Sequence, residues 1–146
     1  MALVTGASRS ITKIKTKYMA SYGLGSTHTA CMRKLYAAPD GITRTQLADL
    51  CELDKAQVTR IVNELVKNGY AVEVGRGSGY KRHVILTEEG KKATAEINAI
   101  ILDFNKYVSE NIPSEDLSTF YKVFGEICAN LKSAEGFPEP PELRKD

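Results

Sequence analysis

A chain of 146 residues with 42% hydrophobic and 26% charged side chains has the length and balance of one folded domain with a true core. No apolar run approaches the roughly 18 residues needed to cross a membrane, so a membrane protein and a wholly disordered chain are both excluded. The net charge is only +2 but is graded: Met1 to Pro39 holds six basic and no acidic residues, Asp40 to Leu86 seven and six, and Thr87 to Asp146 seven and twelve. A basic end raises the expectation of an anionic partner without naming it. Cys31, Cys51 and Cys128 are odd in number and widely separated, and His28 and His83 are the only histidines. Neither a disulfide framework nor a metal site is expected, and no cofactor. No secretory leader is evident between Met1 and Gly25, so a reducing cytoplasm is the expected setting.

The first ten or so residues, ALVTGASRSI, resemble the opening strand and turn of short-chain dehydrogenases, where glycines let the backbone approach a nicotinamide dinucleotide. Only Gly6 is present, Ser10 and Thr12 stand where later glycines belong, and no acid occurs before Asp40. An enzyme is not expected, and a dinucleotide-binding fragment remains a minor alternative.

Beyond that string helical spacing dominates. Ile11, Ile14, Tyr18 and Met19 mark a first helix ending near Tyr22 to Gly25; Ser26 or Thr27 caps a second carrying Cys31, Met32, Leu35 and Tyr36, stopped by Pro39 to Gly41. Thr43 with Gln46, and Asp54 with Gln57, are two capping boxes. They open a third helix, with Leu47, Ala48 and Cys51 inward, and a fourth from about Lys55 to Lys67 that closes on Asn68-Gly69. Two capped helices joined by a tight turn make a helix-turn-helix candidate. Tyr70, Val72 and Val74 then alternate with Ala71 and Glu73; a glycine-rich turn follows, and Tyr80 to Leu86 completes a β-hairpin. Thr87 caps a fifth helix with a seam of Ala93, Ile97, Ile101, Phe104 and Val108, and Ser114 a sixth with Leu117, Tyr121, Phe124, Ile127, Cys128 and Leu131. Residues from Ser133 onward read as a disordered tail.

The stretch GITRTQLADLCELDKAQVTRIVNELVKNGYAVEV followed by VILTEEGKK resembles the winged-helix regulators of the multiple antibiotic resistance regulator (MarR) family, and with its flanking helices the likeness covers roughly residues 9 to 132. The resemblance implies a mainly α fold with a small β-hairpin wing. Residues 1–38 would be N-terminal dimerisation and scaffold helices, 39–87 the winged helix-turn-helix lobe, 88–132 the C-terminal dimerisation helices and 133–146 the tail. It further implies a homodimeric repressor of a double-stranded DNA operator, released by a small aromatic effector. The family's wing commonly carries an aspartate and an arginine two apart, where this chain has Ser78 and Tyr80. In such a dimer the basic first segment belongs to the dimerisation helices, so the reading surface depends on which cations face outward rather than on net charge.

On the fourth helix Val58, Ile61, Val62 and Leu65 form the inward stripe, leaving Lys55, Ala56, Gln57, Thr59, Arg60, Asn63 and Lys67 outward. Gln57, Arg60 and Asn63 are the candidate base readers, with arginine suited to guanine and the amides to adenine. Lys55, Thr59 and Arg44 suit phosphates, and Arg76, Lys81 and Arg82 supply wing cations. A solvated polar face, or a winged-helix module that docks a protein instead of DNA, is the competing reading. Tyr18, Tyr22, Met32, Arg33 and Tyr36 are the effector-pocket candidates that the resemblance suggests, against ordinary core packing. Cys31 is the candidate oxidant sensor, although its place on an apolar stripe argues for inertness.

Overall fold

The computed structural model describes residues 2–75 and 82–134. Its elements run α1 (Ala2–Met19), a 3-10 turn (Ala20–Tyr22), α2 (His28–Tyr36), β1 (Ile42–Thr43), α3 (Arg44–Cys51), α4 (Lys55–Lys67), β2 (Ala71–Gly75), β3 (Arg82–Leu86), α5 (Glu88–Ser109) and α6 (Ser114–Ala134). The chain divides into two compact units, Met1–Leu102 and Asp103–Asp146, with the division inside α5.

α1 departs from expectation at its start. It is helical from Ala2, so Thr5, Gly6, Ala7 and Ser8 lie within a continuous helix instead of a strand and phosphate-cradling turn. The geometry a dinucleotide would need is therefore absent, which overturns that alternative. Of α1 only Met19 is buried, and Leu3, Val4 and Ile11 are exposed.

In the first unit one cluster joins Met19 and Leu24 to Cys31, Met32 and Leu35 of α2, Leu47 and Ala48 of α3, and the α4 stripe Val58, Ile61, Val62 and Leu65. Ala71, Val84, Leu86, Ala93 and Ile97 complete it. Fully burying a side chain such as Ile61 or Leu65 contributes about 1.5–3 kcal/mol, so the α4 stripe alone fixes which face of that helix is left for solvent.

The local signals around the helix-turn-helix behave as the sequence predicts. Thr43 Oγ1 accepts from the Gln46 N–H at 3.2 Å while Gln46 Oε1 accepts from the Thr43 N–H at 2.9 Å. Asp54 Oδ1 accepts from the Gln57 N–H at 2.7 Å and Gln57 Oε1 from the Asp54 N–H at 3.2 Å. Asp54→Ala should lower stability by about 1 kcal/mol, read as a lower urea midpoint, because it leaves the Gln57 N–H without its side-chain acceptor. The α4 end closes over Gly69 at φ +78°, with the Tyr70 N–H returning to the Leu65 carbonyl. Thr27 differs from expectation: it is helical in conformation and its side chain caps nothing. Instead His28 Nδ1 lies 3.1 Å from the Gly25 N–H.

The sheet has three strands in the order β1-β3-β2, all antiparallel, with Ile42 opposite Val84 and Ala71 opposite Leu86. β1 adds a third strand to the expected hairpin, and its two residues are too few to carry periodicity. The faces of β2 are also the reverse of what its alternation suggests: Ala71 is buried and Glu73 half-buried, whereas Val72 and Val74 are exposed. The glycine-rich turn, with Ser78 and Tyr80, and the tail beyond Ala134 lie outside the described residues.

Thr87 ties the hairpin to α5. Its hydroxyl donates to the Gly69 carbonyl at 2.6 Å and accepts from the Gly90 N–H at 3.0 Å. In the second unit α6 has no buried residue, and Phe120 stacks on Phe124 at 5.5 Å. Val123, Ile127 and Leu131 are exposed, and α6 continues past Lys132 to Ala134. Among the described residues no helix is long and apolar enough to cross a membrane.

Candidate nucleic-acid interface

With its stripe buried, α4 turns Lys55, Ala56, Thr59, Arg60, Asn63 and Lys67 outward, and these with Glu64 line an open concavity of about 630 Å³. Among the described residues Lys55, Arg60 and Lys67 have no ion-pair partner. Three unneutralised cations on one helix face, beside a hydroxyl and an amide, suit a polyanion with hydrogen-bonding edges. Glu64 is drawn aside, its Oε2 lying 2.8 Å from Nε2 of the buried His28.

The structure places the predicted residues unequally. Lys55, Thr59, Arg60 and Asn63 share the outward face of α4, and Arg82 is exposed on β3. Gln57 is half-buried with its side-chain oxygen held in the capping box. Arg44 faces the lobe itself: Nε and an Nη donate to the two Glu73 oxygens at 2.8 and 3.0 Å, and the same Nη donates to Asn63 Oδ1 at 2.8 Å. Arg76 and Lys81 lie outside the described residues.

Sequence reasoning missed the partner in that clamp. Glu73 sits on β2 among residues that read as an alternating strand, and nothing local marks it as the acid that joins α3, α4 and the hairpin. The Arg44 hydrogen bonds hold its carboxyl below the ordinary range, with partial burial opposing and Arg82 assisting. A depressed carboxylate pKa gives stability that is present above the unfolded value, about 4.3, and lost as pH falls through the folded one. The urea midpoint should thus fall more steeply from about pH 6 to pH 3 in the wild type than in Glu73→Gln. Equal slopes would remove the clamp from the stability account.

The effector candidates do not share one environment. Met32 is fully buried in the core, Arg33 and Tyr36 are exposed on α2, and Tyr18 is half exposed on α1. Tyr22 donates to Glu96 Oε2 at 3.1 Å and its carbonyl accepts from the Tyr70 hydroxyl at 3.2 Å. Burial first, then that carboxylate, raise its phenol above the usual value. Cys31 and Cys51, far apart in sequence, bring their thiols together; burial and then the neighbouring thiol push Cys31 up to about 12. So high a value leaves almost no nucleophilic thiolate at neutral pH. Among the described residues no cluster suits a metal ion.

Comparison with known proteins bears on this arrangement. The MarR family model matches residues 22–78. A MarR family transcriptional regulator from Silicibacter pomeroyi DSS is 30% identical, with 90% of this chain and 88% of that one covered at a TM-score of 0.74. The chain belongs to the MarR family. The expected mainly α winged-helix class is thereby established. The fold recurs in a MarR regulator from Methanosarcina mazei Go1, at TM-score 0.79, 21% identity and coverage of 90% and 94%. It recurs again in Staphylococcus aureus MepR, solved in complex with DNA, at TM-score 0.81, 13% identity and coverage of 88% and 96%. Among curated proteins, the xylose repressor of Caldicellulosiruptor bescii is 45% identical over 101 residues, 64% of this chain. The match spans only 22% of the length of that repressor.

Proposed function

We propose that this MarR-family chain is a DNA-binding transcriptional repressor that acts as a homodimer in the cytoplasm on a pseudopalindromic operator and is released by a small-molecule effector. The observation that carries the reading is the outward face of α4, whose Lys55, Arg60 and Lys67 lack partners among the described residues and flank Thr59 and Asn63. The fold shared with MepR, which was solved on DNA, supports it. In this reading α4 enters the major groove, Arg60 and Asn63 read bases, Lys55 and Thr59 set the register on phosphates, and Arg82 adds a wing cation.

Homodimerisation is supported by two helices with unpartnered apolar surface: α1, with a single buried residue, and α6, with none. An apolar face such as Phe120, Val123 and Ile127 needs a cover. Domain roles follow the same reading: residues 39–87 read DNA, and 1–38 with 88–132 form the dimer. An effector would act by binding better to a dimer whose lobes are wrongly spaced for DNA, with Tyr18, Tyr22, Arg33 and Tyr36 as its candidate contacts.

The test combines solution mass with footprinting on duplexes selected from a random pool. A dimer protecting two half-sites about 10 base pairs, or a multiple, apart is expected. A monomer on a single half-site, or no selected duplex, would contradict the proposal.

A further inference from the structure

The hydrogen bonds that anchor the two amide side chains of α4 bear on which bases this surface reads. An arginine offers donors only, so the end of Asn63 that faces Arg44 at 2.8 Å must be its oxygen. The backbone N–H of Asp54 is likewise a donor, so Gln57 turns its oxygen to it at 3.2 Å. Both acceptors therefore point back into the protein, and each amide keeps its NH₂ as the end with no partner among the described residues. Arg60, Lys55 and Lys67 add further donors to the same face, beside the Thr59 hydroxyl and Glu64, whose Oε2 lies 2.8 Å from His28 Nε2.

Reading adenine bidentately requires an amide to turn its oxygen and its NH₂ to the base edge together, accepting from N6 and donating to N7, which an oxygen turned toward Arg44 does not do. Guanine instead presents two acceptors, O6 and N7, and matches an amide that offers its NH₂. We infer that Asn63 meets DNA through its NH₂ alone, and that the base opposite it in each half-site is guanine rather than adenine. Arg44 is then a positioning residue. Glu73 neutralises its charge, and its second contact sets which end of Asn63 meets the DNA.

This inference rests on the DNA-binding reading, and the experiment separates the two. Duplexes are selected from a random pool by the full chain, by Asn63→Ala and by Arg44→Met, with folding of each variant followed by circular dichroism. The wild type should favour guanine over adenine by about tenfold at one base pair of each half-site, and Asn63→Ala should abolish the preference there alone. Arg44→Met frees the oxygen and should move that same position toward adenine, a change that loss of stability would not produce. Should Arg44→Met not fold, the base at the position lost in Asn63→Ala decides the matter. Adenine there in the wild type, or guanine kept unchanged by a folded Arg44→Met, overturns the inference while leaving DNA binding intact. Failure of the folded wild type to select any duplex overturns the DNA-binding reading and this inference with it.

Discussion

Arg60→Ala should weaken binding to a selected operator by about 5- to 150-fold per half-site, on the order of 1–3 kcal/mol, and relax the base preference at one position. Arg60 lies in the middle of the outward face of α4, with Ile61 and Val62 beside it in sequence anchored in the core, so the helix cannot rotate to replace it. It is also a cation with no partner among the described residues, so truncation removes a DNA contact without orphaning a carboxylate within the fold. Lys67→Ala should behave differently, with a loss similar for all sequences and a salt dependence shallower by about one counterion per lobe. Fluorescence anisotropy on selected and scrambled duplexes distinguishes the two patterns. Undiminished affinity and preference in Arg60→Ala would displace that residue from the reading surface.

Gly90→Ala should destabilise the fold by about 2 kcal/mol, the cost of overpacking against backbone less the helix-propensity gain of alanine. A Cβ at Gly90 would run into the carbonyl oxygen of Tyr70 and stand 2.8 Å from its carbonyl carbon. Neither atom can swing aside as a flexible side chain would. The Tyr70 N–H is bonded to the Leu65 carbonyl at 2.9 Å, and its carbonyl accepts from the Thr87 N–H at 3.0 Å. The end of α4, the start of β2 and the first turn of α5 meet at this point, so the damage reaches the angle between reading helix and wing. Urea denaturation reads the effect, and a midpoint equal to or above the wild type would contradict it.

That junction shows what was legible in the sequence. The string L-T-E-E-G announces a helix start, and its threonine does cap, but the reason for its glycine is a tertiary approach that no local pattern encodes. The capping boxes at Thr43 and Asp54 and the α4 stripe were readable because each is decided within one turn or one helix face. β1 was not, because its two residues pair only once β3 is beside them. The orientation of β2 was hidden because Arg44, distant in sequence, draws Glu73 inward and leaves Val72 and Val74 outside. The same contact involves Arg44, whose charge is readable from the sequence while its partner Glu73 is not. Gln57 and Asn63 were recognisable as amides on the α4 face, yet which end of each meets a ligand depended on hydrogen bonds seen only in the fold.

The measurement that bears most directly on the central claim is the salt dependence of binding to the selected duplex and to a scrambled duplex of the same length. If the outward face of α4 and the wing cations of both lobes engage phosphates, operator affinity should fall by about a thousandfold or more between roughly 50 and 200 mM salt. The scrambled duplex should bind at least about a thousandfold more weakly throughout. Equal affinity for the two duplexes, or operator binding indifferent to salt, would contradict the assignment of this surface to sequence-specific DNA recognition.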